Sequence, residues 1–317
     1  VKLASQWQHA FFVSCPYKPS SNVHNAILYS ILLSCFFVGS VYVMVPGKVR
    51  QLSRDNALHI KYRLMASFTI ASIAVIAYPS IVCSNEESYG IYSSPAYQKL
   101  GFTWNTSALL RSSLHTIILY LGSIVANLLL MYSIIHFEGD NRRSRDLSTL
   151  FAVFKELCID PAIYPIWPQI RNIWIAPIVE EVVFRGCMIG PMDASISDKS
   201  RIIWIVPLFF GVAHIHHAYL RLQQGFPWRS IVFSTTFQFI YTTLFGAYAT
   251  YLFVRTNSLP AVIIPHQLCN YMGLPDLSFF QTRFGRLSIL YPYRWIIMTF
   301  YLIGITGFIV GFRILLP

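Results

Sequence analysis

Five long apolar stretches constrain the fold of this chain more than any other feature of its sequence. They cover Asn25–Val45, Leu64–Cys83, His115–Phe137, Ser230–Val254 and Trp295–Leu316. An α-helix needs about 20 apolar residues to cross the hydrocarbon core of a bilayer, and each stretch is about that long. Only 12% of the residues are charged, whereas a soluble domain carries roughly 25%. The sequence therefore predicts an all-α, polytopic membrane helix bundle.

Three further apolar stretches are shorter or interrupted, and each of them carries ionisable side chains. They are Ile173–Met192, Ile202–Tyr219 and Leu259–Met272. Together with the five long stretches they predict about eight transmembrane helices, in a single integral-membrane domain that covers residues 1–317.

The basic residues favour a membrane surface over nucleic acid as the partner of this chain. The net charge is +11, but the lysines and arginines lie mostly in short segments between apolar stretches, where they set topology and contact lipid headgroups. The segment between the first two stretches holds five of them, which predicts that it is cytosolic and that Ser84–Leu114, with the sequon at Asn105, is lumenal. The six cysteines form no C-x-x-C pair and are interpreted as reduced.

Two glutamates and an arginine lie in the middle of the apolar sequence WIAPIVEEVVFRGCMIG, Trp174–Gly190. A charge at the centre of a bilayer costs roughly 2.5–3.5 kcal/mol on insertion scales, so such residues usually have a function. Glu181 and Arg185 are four residues apart, share one helix face and are expected to form an ion pair. Glu180 points about 100° away from that face, which makes it the candidate for chemistry.

The other two interrupted stretches contribute imidazole and amide groups. His214 lies in the apolar part of Ile202–Tyr219, and His217 follows within one helical turn, where it is expected to support His214. His266 and Asn270 are four residues apart and share one helix face. Their side chains are hydrogen-bond donors that either bind a carbonyl oxygen or connect two helices by hydrogen bonds.

A polar cavity inside the membrane would satisfy all of these groups at once. A carboxylate, imidazoles and an amide also form a complete hydrolytic set, with a base, a group that positions water and oxyanion donors. Glu180 is expected about nine residues, or roughly 13 Å, inside the cytosolic end of its helix. The cavity is therefore predicted to open to the cytosol.

Three ordered motifs resemble the CAAX-processing and bacteriocin-immunity family of intramembrane proteases. EEVVFR at Glu180–Arg185 fits E-E-x-x-x-R, FFGVAH fits F-x-x-x-H through Phe210 and His214, and HQLCN at His266–Asn270 fits H-x-x-x-N/D. The segments YTTLFGAYATYLFVRT and CNYMGLP look like the eukaryotic, fungal-like branch, the type II CAAX prenyl proteases or Ras-converting enzymes. The resemblance covers roughly Trp174–Pro275, so that 173–275 is the expected catalytic core.

The resemblance implies an activity and a role for each matching residue. The activity is endoproteolytic removal of the last three residues of prenylated CAAX proteins, such as Ras-type GTPases and lipidated mating pheromones, at the endoplasmic reticulum membrane. Glu180 would activate the attacking water, His214 would position it, and His266 with Asn270 would stabilise the oxyanion. Glu181 and Arg185 would support them, and no cofactor is expected.

Three alternatives stay open at this stage. The first is a membrane transporter or binding protein without enzymatic activity, although a transporter often shows inverted repeats and none is visible here. The second is a protease with Cys269 as its nucleophile. The third is a zinc-dependent protease, in which His214, His266 and Glu181 hold the metal and Glu180 acts as the base. In the third case Glu181 would have to leave Arg185.

Overall fold

The computed structural model describes residues 22–82, 98–137 and 165–316, and every regular element in these ranges is helical. The predicted lumenal loop Ser84–Leu114 lies partly outside them. In chain order the α-helices are α1 (Val23–Val43), α2 (Gly47–Arg50), α3 (Ala57–Val82), α4 (Thr106–Leu119), α5 (Leu121–Phe137), α6 (Ile166–Gln169), α7 (Ala176–Glu181), α8 (Met188–Ser195), α9 (Lys199–Ala213), α10 (His216–Gln223), α11 (Trp228–Thr256), α12 (Pro260–Met272) and α13 (Arg294–Ile314). Short 3₁₀ turns cover Ser278–Phe280 and Ser288–Tyr293.

Four helical segments are long and apolar enough to cross a membrane, which confirms the prediction of an all-α membrane protein. They are Val23–Val43, Ala57–Val82, Lys199–Gln223 and Ser288–Ile314. The bent pair of α4 with the first part of α5 makes a fifth if it is counted as one span. The predicted number of eight is not confirmed. Helix α11 is long enough at 29 residues, but its serines and threonines lower its hydropathy.

The predicted span His115–Phe137 is not one continuous helix, because the chain bends by 66° between α4 and α5. One turn before the bend, the Thr116 hydroxyl donates to the carbonyl of Ser112 at 2.8 Å, a type of bond that often bends helices. Just after the bend, a side chain on Gly122 would collide with the ring of Tyr301. The glycine thus allows α13 to pack against the start of α5.

Helical residues run without interruption from 166 to 195, but with two π-helical turns at Ile170–Ile175 and Val182–Cys187. Each turn precedes a proline by a few residues, Pro177 in the first case and Pro191 in the second. Proline lacks an N–H and its ring collides with the carbonyl four residues earlier, and a locally wider turn accommodates both effects. Single π turns in α-helices are frequently found at functional sites.

The chain divides into two compact units that are each discontinuous in sequence. The first consists of Val1–Thr106 and Ile175–Ile263, and the second of Ser107–Trp174 and Ile264–Pro317. In the first unit α9 packs along α11, α1 along α3, and α8 against α1. In the second unit α5 packs along α13 around a core of Ala126, Leu130, Phe279, Leu287, Leu290, Ile297 and Tyr301.

The loop before α12 is fixed by hydrogen bonds within the first unit. Asn257 ends α11 in the left-handed conformation with φ 45°, and its side-chain amide donates to the carbonyl of Gln98 at 3.0 Å. The Ser258 hydroxyl donates to the carbonyl of Thr103 at 2.8 Å, and the backbone N–H of Leu259 donates to the carbonyl of Gly101 at 2.8 Å. These bonds hold the residues directly before α12, the helix that carries the third motif.

Candidate active site

The first motif contains a fully buried ion pair, as its spacing predicts. Arg185 Nη1 donates to Glu181 Oε1 at 3.1 Å, and both side chains are 0% exposed. Arg185 Nη2 also donates to the carbonyl of Gly246 on α11 at 3.4 Å. The guanidinium carbon lies 4.6 Å from the centre of the Phe210 ring on α9. The pair therefore joins the motif helix to both α9 and α11.

Gly246 contributes to the surroundings of the buried pair, and sequence reasoning missed this position. A Cβ atom at this residue would lie 2.9 Å from Cβ of Pro207 and 3.3 Å from Arg185 Nη2. The absence of a side chain therefore lets the α11 backbone approach the guanidinium and offer its carbonyl. An isolated glycine within a helical pattern is the signal that points to such a close approach.

Glu180 occupies a different environment from its neighbour. Its side chain is partly exposed, whereas that of Glu181 is buried. It lies within electrostatic range of the Arg185 guanidinium and of the Tyr241 hydroxyl on α11. The two adjacent carboxylates thus differ in burial, since Glu181 is buried in the pair with Arg185 and Glu180 is partly exposed.

His214 lies at the break between α9 and α10, so the predicted stretch Ile202–Tyr219 is two helices. Its Nδ1 lies 2.7 Å from the carbonyl oxygen of Phe210, and since a carbonyl only accepts, Nδ1 carries the hydrogen. In the neutral ring this assigns the lone pair to Nε2. The ring packs edge-on against Phe210 at a centroid separation of 4.6 Å. Phe210 therefore contacts both Arg185 of the first motif and His214 of the second.

The His217 side chain contacts both the His214 ring and Arg54, which lies in the segment between α1 and α3. The centroids of the His214 and His217 rings are 6.0 Å apart, and those of the His216 and His217 rings are 4.0 Å apart. His217 Nδ1 is 3.1 Å from Nη1 of Arg54. A guanidinium only donates, so this nitrogen accepts the bond and the hydrogen of the neutral His217 ring is on Nε2.

The residues of the third motif lie on α12, in the second unit. His266 is 4% exposed, and it follows Pro265 inside the helix. The Asn270 amide donates to the backbone carbonyl of Asn172 at 2.8 Å, and the Gln267 amide donates to that of Trp174 at 3.3 Å. A carboxamide has two N–H donors, so the bond to Asn172 uses half of the donor capacity of Asn270.

The structure also describes Cys269, the nucleophile of the thiol alternative, and the residues that the zinc alternative takes as metal ligands. The Cys269 side chain makes a hydrogen bond with the hydroxyl of Tyr120 and is partly exposed. Across residues 22–82, 98–137 and 165–316, no three His, Cys, Asp or Glu side chains lie close enough together to hold a metal ion. Glu181, which the zinc alternative requires as a ligand, is engaged by Arg185.

The chain is similar to a group of eukaryotic membrane proteases. A family model described as "Type II CAAX prenyl endopeptidase Rce1-like" matches residues 162–272, which include all three motifs. CAAX prenyl protease 2 of Homo sapiens is 34% identical over 255 residues, covering 77% of this chain and 69% of that protein. The probable CAAX prenyl protease 2 of Schizosaccharomyces pombe is 31% identical over 252 residues, covering 79% of this chain and 81% of that protein.

A shorter but closer similarity falls in the same group. CAAX prenyl protease 2 of Saccharomyces cerevisiae is 40% identical over 136 residues, covering 39% of this chain and 43% of that protein. No solved structure matches the chain. The long similarity to the human and fission-yeast proteases, together with the family match, shows that this chain belongs to the type II CAAX prenyl endopeptidase, Rce1-like family.

Proposed function

We propose that this chain removes the C-terminal tripeptide from prenylated CAAX proteins by attack of a water molecule that Glu180 activates. The chain is a CAAX prenyl endopeptidase, a protease of the hydrolase class built as a multi-pass membrane protein. The transporter and binding-protein alternatives are not favoured by this membership. The residue roles are the proposal, and they rest on the chemistry of the three motifs.

The observation that carries the assignment of Glu180 is the different environment of the two adjacent carboxylates. Glu181 is committed to the buried pair with Arg185 at 3.1 Å. Glu180 is partly exposed and lies near the Tyr241 hydroxyl. A general base must be accessible to water and substrate, so Glu180 fits this role and Glu181 fits a structural one.

The proposed reaction requires three functions. Glu180 takes a proton from water as the water oxygen attacks the carbonyl carbon of the prenylated cysteine. The His214 ring, fixed by its bond to Phe210, accepts at Nε2 a hydrogen bond from the O–H that the water keeps, and thereby orients the water. His266 and Asn270 donate to the negatively charged oxygen of the tetrahedral intermediate. When the C–N bond breaks, Glu180 returns its proton to the leaving amine of the tripeptide.

The membrane location of the protease indicates which kind of substrate it cleaves. Each CH₂ group of a prenyl chain contributes about 0.8 kcal/mol to membrane binding, so a prenylated cysteine holds the adjacent peptide bond at the bilayer. The proposed substrates are farnesylated or geranylgeranylated CAAX proteins, such as Ras-type GTPases and lipidated pheromone precursors. The proposed location is the endoplasmic reticulum membrane, with the active site open to the cytosol.

Incubation of a farnesylated CAAX peptide with membranes that contain this chain tests the function. Mass spectrometry should detect the free tripeptide and a peptide that ends in the prenylated cysteine. The same peptide without the prenyl group should react much more slowly, because the membrane no longer concentrates it. A folded protein that leaves the farnesylated peptide intact would contradict the proposal.

We further propose that catalysis needs no metal ion. The zinc alternative takes Glu181 as a ligand, and that carboxylate would have to give up a buried bond to a guanidinium that cannot lose its charge. Purified enzyme washed with chelator should therefore keep its activity and contain far less than one zinc per chain by elemental analysis. Stoichiometric zinc whose removal abolishes cleavage, and whose return restores it, would overturn this view.

A further inference from the structure

The second motif marks one end of the first unit, where the segment that precedes α3 lies beside it. Arg54 Nη1 donates to His217 Nδ1 at 3.1 Å, and the centroids of the His217 and His214 rings are 6.0 Å apart. Helix α3 begins three residues after Arg54, at Ala57, and α11 begins five residues after the end of α10. Both long helices therefore start at this end of the unit, the motif end.

A glycosylation sequon follows a segment that is fixed at the opposite end of the first unit. Asn105-Thr106-Ser107 is the only match to N-x-S/T within residues 1–317. The Ser258 hydroxyl, just beyond the end of α11, donates to the carbonyl of Thr103 at 2.8 Å, and the Thr103 hydroxyl donates to the carbonyl of Asn257. The sequon segment, residues 98–107, is thus held where α11 ends, and α11 has 29 residues.

Helix α3 leads from the motif end to the same place. It is one of the four candidate membrane spans and has 26 residues. Near its far end the Tyr78 hydroxyl occupies the space beside Gly190 on α8. Three residues further along α8, Asp193 lies within electrostatic range of Lys99 in the sequon segment. Two helices thus separate the sequon from the motif end by about 40 Å, which exceeds the roughly 30 Å hydrocarbon core of a bilayer.

The surroundings of Asn105 leave room for an attached glycan. Trp104 is 74% exposed, Thr106 and Ser107 are exposed as well, and Asn105 itself is partly exposed. The first nine residues of α4 span about 13 Å before the apolar stretch that begins at His115. A headgroup layer is about 5–8 Å thick, so the sequon extends beyond it into the aqueous phase.

We propose that Asn105 is a site of N-glycosylation on the lumenal side of the membrane. The side follows from the proposed function, in which the motif end is open to the cytosol. Nδ2 of Asn105 forms a bond to C1 of a sugar, the pyrophosphate of a polyprenyl-linked oligosaccharide leaves with the electrons of its own bond to C1, and the nitrogen loses one proton. The transfer acts on the chain as it enters the lumen, so it requires the sequon and its location rather than a particular contact of the folded amide.

Expression of the full chain in a eukaryotic cell, followed by endoglycosidase digestion and electrophoresis, tests the proposal. Wild type should lose the mass of one glycan on digestion, and Asn105→Gln and Ser107→Ala should migrate like the digested wild type. Ser107→Thr should keep the glycan, because either hydroxyl residue completes a sequon. Asn105→Gln should cleave a farnesylated CAAX peptide at the wild-type rate, because about 40 Å of helix separates the sequon from the motif end.

Leu58→Thr supplies the matched control at the motif end. It completes a sequon at Asn56, and both Asn56 and Leu58 are exposed. In the Asn105→Gln background this variant should stay without a glycan, because residue 56 is cytosolic in the proposed orientation. A wild type without a glycan would overturn the proposal and leave the protease function, which the peptide assay measures separately, unaffected. A glycan on Asn56 would also overturn it, because the motif end would then face the lumen.

Discussion

Glu180→Gln should lower kcat for a farnesylated CAAX peptide by a factor of about 10² to 10⁴, the usual contribution of a general base. Glutamine has nearly the same shape as glutamate but cannot take a proton from water at neutral pH. Because Glu180 is partly exposed and glutamine keeps its size, the variant should fold normally. The rate of cleavage of the farnesylated peptide is measured by mass spectrometry, and the stability of the variant by thermal unfolding in detergent.

Asp198→Asn supplies the control for this acid-to-amide change. Asp198 is exposed and caps α9 by accepting a bond from the backbone N–H of Ser200 at 2.9 Å, and asparagine caps a helix about as well as aspartate. This variant should keep both wild-type activity and wild-type stability. Turnover by Glu180→Gln at the wild-type rate would show that the base is a different residue and would remove the basis of the proposed mechanism.

The sequence predicts the buried pair of the first motif because the underlying rule is local. Residues four apart on a helix face the same side, and a charge inside an apolar stretch needs a partner. Both statements require only the residue types and their spacing. The structure confirms the consequence, a 3.1 Å contact between two side chains without solvent exposure. The assignment of helices to the apolar stretches is predictable for the same reason.

Other features depend on contacts between distant residues, so sequence patterns do not reveal them. The close approach of Gly122 to the ring of Tyr301 on α13 follows the bend between α4 and α5, and the sequence separates these two residues widely. The π turn at Val182–Cys187 depends on how the helix accommodates Pro191; a proline inside a helical pattern predicts a disturbance but not its form. The pairing of Arg54 with His217 joins residues 163 positions apart.

The hydrophobic pattern also gives an uncertain count of spans, for a physical reason. Helices that enclose polar groups are themselves partly polar, as in α11 with its serines and threonines. A hydropathy criterion therefore misses α11, although it detects Lys199–Gln223, which carries His214. The number of spans is least predictable in the part of the chain that carries the chemistry, while α1, α3 and α13 are identified without difficulty.

Glu181→Leu should destabilise the protein by about 3–5 kcal/mol, the cost of leaving one charge of a buried pair uncompensated in soluble proteins. Leucine fills a similar volume but offers no acceptor to Arg185, and an arginine side chain keeps its positive charge in proteins. The contacts of this guanidinium with the Gly246 carbonyl and the Phe210 ring do not neutralise its charge, and the Glu180 carboxylate within electrostatic range is partly exposed. The midpoint of thermal unfolding in detergent should fall by roughly 5–15 °C.

The double variant Glu181→Leu/Arg185→Met distinguishes an ion pair from two independent packing positions. Methionine keeps the length of the arginine side chain without its charge, and replacement of both partners of a buried pair by apolar residues is often neutral or stabilising. The double variant should therefore be more stable than Glu181→Leu alone, so that the two changes are strongly non-additive. Independent positions would instead give a double variant less stable than either single one. That result, or a Glu181→Leu variant with wild-type stability, would show that the contact at 3.1 Å carries no net electrostatic coupling.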